Sequence, residues 1–278
     1  MSQASLSKEE LQSLHSTYQA NFEAAKAQGL ALDLTRGKPS SAQLDLSNAI
    51  DIALEGEFSF DGTDLRNYGG IDGIPSAKAF FADMADVSAD SILIGGNSSL
   101  TLMHQSALFS QFFGLNESAW SEQDTKPVFI CPVPGYDRHF SVCEQLGIDM
   151  VTVALTDEGP DMDAVEELIK TNPAIRGMWC VPRFSNPTGH VYSDSTVERI
   201  AKLGQIAHPS FKVFYDNAYS VHHLNRDAAA LKPIQPLLVE NGTEESVIQF
   251  GSTSKITFAG AGVSVSYTHL TLPTTSRV

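Results

Sequence analysis

An alternation of short apolar runs with amphipathic helical stretches, sustained from about residue 75 to residue 250, most restricts what this chain can fold into. Apolar residues at helical spacing mark 75–87, with Phe80, Phe81 and Met84 expected to face inward, and a short apolar run follows at 91–95. The pattern continues as helix 99–113, strand 127–131, helix 138–146, strand 150–155, helix 161–170, strand 177–181, helix 193–207 and strand 211–215. A longer excursion then leads to a last strand at 246–250. Strands written as unbroken apolar runs are buried on both faces, and helices between them supply the crossovers that parallel neighbours require. The expected fold class is therefore α/β, a mostly parallel sheet with helices on both faces.

Both ends depart from this rhythm. Ser7-Lys8-Glu9-Glu10 has the form of a capping box, and Leu11, Leu14, Tyr18 and Phe22 recur behind it, so a helix is expected that ends near Gly29. Residues 33–39 read as an extended segment breaking into a Gly/Pro turn. This polar start lacks the apolar core of a secretion signal, and nowhere does the chain run through about eighteen apolar residues in a row. Three cysteines form no pairable framework, so Cys131, Cys143 and Cys180 read as small buried groups in a reducing compartment. The expectation is a cytoplasmic globular protein with no membrane span. A formal net charge of −15 sets it against nucleic acid, whose phosphates need a basic surface. After Gly262 the alternation stops. Residues 266–278 have the composition of a Thr-rich edge strand or loop and resemble translated adapter read-through, so 265–278 is expected to be a non-native tail.

In an open α/β sheet, ligands bind outside the carboxyl ends of the strands. The residues just past each expected strand are therefore the candidates. They are Gly95-Gly96-Asn97-Ser98-Ser99, Pro134-Gly135-Tyr136, Asn186-Pro187-Thr188-Gly189, Asp216-Asn217-Ala218-Tyr219 and Ser252-Thr253-Ser254-Lys255. Together they supply a Gly/Ser turn at a helix start, an aromatic plate, an amide, a carboxylate with a phenol, and a lysine. A phosphorylated pyridine aldehyde needs each of these. A lysine condenses with the aldehyde. A carboxylate keeps the pyridine nitrogen protonated, so that the ring can delocalise a carbanion. A phenol and an amide bind the ring oxygen, an aromatic side chain stacks on the ring, and backbone N–H groups with hydroxyls take the phosphate.

The order of these motifs, with Tyr68-Gly69-Gly70, Gly73 and Pro75 ahead of them, resembles class I/II aminotransferases among the fold-type I enzymes that use pyridoxal 5'-phosphate (PLP). Arg36-Gly37-Lys38-Pro39 and the run Ser254-Lys255-Ile256-Thr257-Phe258-Ala259-Gly260-Ala261-Gly262 are similar to a bacterial-type aspartate aminotransferase branch. The resemblance covers about 34–262. It implies Lys255 as the cofactor lysine and acid/base, Asp216 at the pyridine nitrogen, and Tyr219 and Asn186 at the ring oxygen. It further implies Tyr136 on the ring face, and Asn97, Ser98, Ser99, Ser252 and Ser254 around the phosphate. Tyr68 would reach the phosphate from the neighbouring subunit of a homodimer, and Gly37 with Asn186 would lie near the substrate. The substrates implied are an amino acid, aspartate, and a 2-oxo acid, 2-oxoglutarate. Residues 1–66 would form an N-terminal arm and part of a small domain, and 67–264 an incomplete large domain. Two departures stand out. Val263 occupies the place where many members carry a phosphate-binding arginine, and the small-domain arginine for the substrate α-carboxylate has no counterpart here.

Each feature alone has a plainer reading. An isolated lysine at a strand end is ordinarily solvated, Asp216 could simply cap a helix, and Asn186-Pro187-Thr188-Gly189 could be a turn without chemistry. Their order reverses those readings. The adjacent His222 and His223 point different ways in any regular structure and read as solvated, and His104, His139, His190 and His208 lack metal-ligand spacing. Two rivals keep the cofactor: a PLP-dependent lyase or synthase, separable only by substrate-side groups, and a PLP-binding sensor domain of a transcription regulator. The latter would need a DNA-binding domain ahead of Leu34, where the sequence offers one acidic-leaning helix.

Overall fold

The computed structural model describes residues 6–31, 39–53, 55–85, 87–115, 117–223 and 225–267. The chain divides into two compact units, Met1–Leu46 and Ser47–Val278. In the first unit, α1 (Lys8–Ala27) begins at the expected capping box: Glu10 N–H donates to Ser7 Oγ at 3.2 Å and Ser7 N–H to Glu10 Oε2 at 2.8 Å. A short helix, α2 (Ser41–Asp45), is capped the same way by Ser40 and Gln43.

The second unit opens with a small hairpin, β1 (Ser59–Phe60) and β2 (Thr63–Asp64), followed by α3 (Pro75–Ala85). Its frame is then β3 (Ile92–Ile94), α4 (Ser99–Phe112), β4 (Val128–Val133), α5 (Asp137–Leu146), β5 (Asp149–Thr156) and β6 (Gly159–Pro160). It continues with α6 (Met162–Thr171), β7 (Ile175–Cys180), α7 (Asp194–Lys202), β8 (Lys212–Asp216), α8 (Gln235–Asn241), β9 (Val247–Ser252) and β10 (Ser264–Tyr267). Eight strands form one sheet in the order β3-β10-β9-β8-β7-β4-β5-β6. The run β9-β8-β7-β4-β5 is parallel throughout, which puts the carboxyl ends of those strands on one edge.

Side chains alternate across the strands, and both faces are covered. Phe129, Cys131, Trp179, Phe214, Ile248 and Phe250 pack with Leu102 and Met103 of α4 and Val142 and Cys143 of α5. On the other face, Ile130, Met178, Val213 and Val247 meet Val165 of α6, Val197 and Ile200 of α7, and Leu238 of α8. Two-sided burial is why the strands read as unbroken apolar runs. Among the described residues no helix is long and apolar enough to cross a membrane.

Three expectations need correction. Phe80 is 62% exposed, while Phe81 beside it is buried, so the inward stripe of α3 is narrower than its sequence pattern. The short helix α8 lies inside the excursion between the last two expected strands, where the sequence pattern marks no element. Most consequentially, 265–267 do not fall outside the fold. β10 is an interior strand, antiparallel to both β3 and β9, and buried along its whole length. Val265 and Tyr267 join Phe81 and Ile92 in a third apolar cluster, and Ser264 Oγ donates to Gly96 O at 2.7 Å. Residues 268–278 lie outside the described residues.

Candidate active site

Asp216, the last residue of β8, lies at the centre of the carboxyl edge and is 5% exposed. His139 Nε2 stands 3.1 Å from Asp216 Oδ2. A carboxylate can only accept, so the Nε2 nitrogen carries the proton in this pair. The other oxygen, Asp216 Oδ1, is buried and has no hydrogen-bond partner among the described residues. A buried acceptor left bare costs free energy, so its place is explained by a donor other than the described residues. The protonated nitrogen of a pyridine ring is such a donor.

The sequence marks His139 only as a histidine without metal-ligand spacing. It sits in the first turn of α5, 1% exposed, with its ring stacked on Trp179 at 4.4 Å and 12°, and Tyr136 edge-on at 5.1 Å. The three-residue step from Tyr136 to His139 at a helix start puts both on one side, a spacing that could have flagged the pair.

Tyr219 follows Asp216 by one short turn and is half-buried. Burial, then the nearby Asp216 carboxylate and Tyr136, push its phenol above the usual tyrosine range, and a hydrogen bond with Asn186 opposes them. Lys255 Nζ lies 4.6 Å from the centroid of the Tyr219 ring, while the lysine as a whole is exposed. Asp216, Tyr219, Asn186, Tyr136 and Lys255 are thus brought to one edge, as expected. Asn186 is positioned by a residue that sequence reasoning missed. Arg183 donates from Nη1 to Ser220 O at 2.5 Å and from Nη2 to Ala229 O at 3.1 Å, tying the segment before Asn186 to the segment after Tyr219. Between them Phe184 holds φ +47°, a left-handed conformation that is costly for an aromatic residue.

The expected phosphate residues also converge. Ser98 caps α4, its Oγ accepting from Thr101 N–H at 3.3 Å, and the first N–H groups of any helix lack intrahelical partners. Ser254 Oγ donates to Asn97 O at 2.8 Å, and Ser254 N–H to Ser252 Oγ at 3.4 Å. The Asn97 side chain is committed elsewhere, donating to Ala259 O at 3.3 Å and Gly260 O at 3.2 Å, so it locks the two turns together. Val263 closes the same turn: its N–H donates to Thr253 Oγ1 at 2.9 Å, and Thr253 N–H to Val263 O at 2.8 Å. A helix start with surrounding hydroxyls suits an anion. The donor set as a whole therefore fits pyridoxal phosphate.

Two candidates stand apart. Tyr68 is 102% exposed and projects away from its own chain. Gly37 lies outside the described residues.

His222 corrects another expectation, for it is half-buried rather than solvated, edge-on to Tyr219 at 5.6 Å, with both ring nitrogens shielded from solvent. Burial, reinforced by the positive charges of Lys255 and Arg183, holds its pKa below the ordinary histidine value. A depressed folded value means that the unfolded chain, near pH 6.5, binds the proton more readily. The stability this residue contributes is therefore complete above about pH 6.5 and is lost as pH falls through the folded value. His222→Gln should show a smaller drop in melting temperature between pH 7 and pH 5 than the parent; parallel curves would contradict the assignment.

Comparison with known proteins gives the family. The family model described as aspartate amino-transferase matches residues 6–269. This chain belongs to that family. An aspartate aminotransferase of Corynebacterium glutamicum is 46% identical over 255 residues, covering 90% of this chain and 58% of that protein. The crystal structure of an aspartate transaminase from Corynebacterium glutamicum superposes with a TM-score of 0.86 at 43% identity, over 95% of this chain and 62% of that one. The α-aminoadipate aminotransferase of Thermus thermophilus, complexed with N-(5'-phosphopyridoxyl)-L-leucine, shares the fold at a TM-score of 0.65 and 23% identity, over 84% of this chain and 55% of that one. The fold is that of the fold-type I PLP aminotransferases. The chain spans less than two thirds of the length of these relatives.

Proposed function

We propose that this chain is the cofactor-binding part of a PLP-dependent aminotransferase that moves an amino group between aspartate and 2-oxoglutarate. The observation that carries the reading is the bare, buried Asp216 Oδ1, set on the same edge as Tyr219, Asn186 and Lys255. Bound there, pyridoxal phosphate supplies an electron sink for the substrate α-carbon. Asp216 holds a negative charge against the ring nitrogen. Tyr219 and Asn186 bind the ring oxygen, and Tyr136 covers the ring face. The turns bearing Asn97, Ser98, Ser99, Ser252 and Ser254 take the phosphate through backbone N–H groups and hydroxyls. Lys255 Nζ holds the cofactor at rest and moves the proton from the substrate α-carbon during transfer. Asn186, beside Tyr219, also contacts the substrate. The choice of aspartate rests on the name of the Corynebacterium glutamicum relative.

The reading extends to a cytoplasmic homodimer. Tyr68 stands fully exposed in a stretch that also exposes Ile50, Ile52, Phe58, Phe60, Leu65 and Ile71, which suits burial against a second copy. All three cysteines are free thiols, in keeping with a reducing compartment.

Mixing the chain with pyridoxal phosphate should produce the absorbance band of lysine-bound cofactor. Aspartate should bleach it and 2-oxoglutarate should restore it. No band would sink the cofactor reading, and bleaching without recovery would point to a lyase. Asp216→Asn keeps the shape and removes the charge, so turnover should fall roughly 100- to 1000-fold, the usual cost of deleting one preorganised electrostatic contact. Equal turnover would remove Asp216 from the mechanism.

A further inference from the structure

The ring that holds Asp216 is itself held. His139 lies in α5 and Asp216 at the end of β8, and a single hydrogen bond between the two side chains does not fix the imidazole plane. Trp179, on β7, supplies the missing constraint. Its indole lies parallel to the imidazole at 4.4 Å and 12°, whereas its other aromatic neighbours, Phe129 and Phe214, meet it at 55° and 54°. The indole is fixed in turn, since Trp179 Nε1 donates to Cys143 Sγ at 3.2 Å, and Cys143 lies on the same helix as His139, one turn further on. Both Trp179 and Cys143 are fully buried.

We propose that Trp179, anchored by the Cys143 thiol, is a positioning residue that fixes the imidazole plane of His139 and so aims Asp216 Oδ1 at the cofactor nitrogen. The role toward the cofactor rests on the proposed function; the mechanical part does not. Once the indole is gone, the imidazole can rotate about its χ2 axis, which is a broad torsion for sp² side chains. The Nε2–H then leaves Asp216 Oδ2, and the carboxylate turns to satisfy itself. A tryptophan that merely filled the core would leave that hydrogen bond in place, as Phe214 does, packed between Phe129 and Phe250 in the same cluster.

The test reads the His139 Nε2 proton by low-field proton NMR in the cofactor-free chain, and then the dissociation constant of pyridoxal phosphate. Trp179→Leu should abolish the resonance and weaken cofactor binding about tenfold, the low end of what losing an orienting partner costs at other sites. Trp179→Phe keeps a ring for stacking and should restore both. Phe214→Leu, a cavity in the same cluster, should lower the melting temperature and leave the resonance unchanged. If Trp179→Leu does not fold, Cys143→Ala takes its place, and it should broaden or shift the same resonance. An unchanged resonance in the variant that folds, or equal loss in Phe214→Leu, overturns the proposal. A chain that never binds cofactor would defeat the functional reading but leave the NMR result standing on its own.

Discussion

Lys255→Ala should leave the chain without the absorbance band of covalently held pyridoxal phosphate, and amino-group transfer should fall by on the order of 10⁶, as when a covalent catalytic group is removed. The size follows from the absence of a substitute lysine at the site among the described residues. Lys212 starts β8, at the opposite end of that strand from Asp216, and is buried with Nζ donating to Glu245 O at 2.8 Å. Lys232 is paired with Glu198 and Lys78 with Asp72. Nothing else among the described residues places an ammonium over the Tyr219 ring. Stability should change little, by less than about 1 kcal/mol, because Lys255 is exposed and its truncation opens no cavity. Unaltered folding with a lost band is thus the expected signature, read by an absorbance spectrum and a melting curve on the same sample. Retention of the band would move the attachment point to another lysine and overturn the site.

Much of this arrangement is legible in the sequence because the proposed cofactor residues sit where the chain changes character. Asp216 and Lys255 each follow an apolar run, and a strand ending is visible as a loss of hydrophobicity. The residues behind them are not legible. His139 and Trp179 meet because α5 follows β4 and β4 pairs with β7, a neighbour relation that no local pattern encodes. β10 misleads for a related reason. Ser264 and Ser266 alternate with Val265 and Tyr267, and two serines in four residues look like an exposed edge. In the sheet both serines are buried, on the face where α4 packs over β9 and β10, and Ser264 finds its hydrogen bond in Gly96 O. Burial of small polar residues depends on partners far away in sequence. His222 shows the same limit, since its shielding comes from Tyr219 and from the turn that carries Lys255.

Gly177→Ala tests the platform on which the site stands, because it adds a methyl group where the aromatic core is closed. Gly177 on β7 lies in register with Phe129 on β4. A Cβ there would fall within the Phe129 ring, under 3.0 Å from three of its carbons. The ring has nowhere to go. Trp120, Trp179 and Phe214 surround it at 5.4, 5.6 and 5.5 Å, and all four aromatics are buried to within 2% of completely. Overpacking of a closed core costs about 1–3 kcal/mol, and the absence of any yielding neighbour favours about 3 kcal/mol. For a domain of this size that corresponds to a fall in melting temperature of roughly 10 °C. The strain should also reach the site, because Trp179 is one of the three rings against which Phe129 is packed, and Trp179 carries His139. Gly177→Ala should therefore weaken pyridoxal phosphate binding as well as stability. Combining it with Phe129→Leu, which empties the space the methyl needs, should recover part of both losses, so the two changes together cost less than their sum. Strict additivity of the pair, or a loss below about 0.5 kcal/mol for Gly177→Ala alone, would show that the aromatic cluster yields and that the site does not depend on its rigidity.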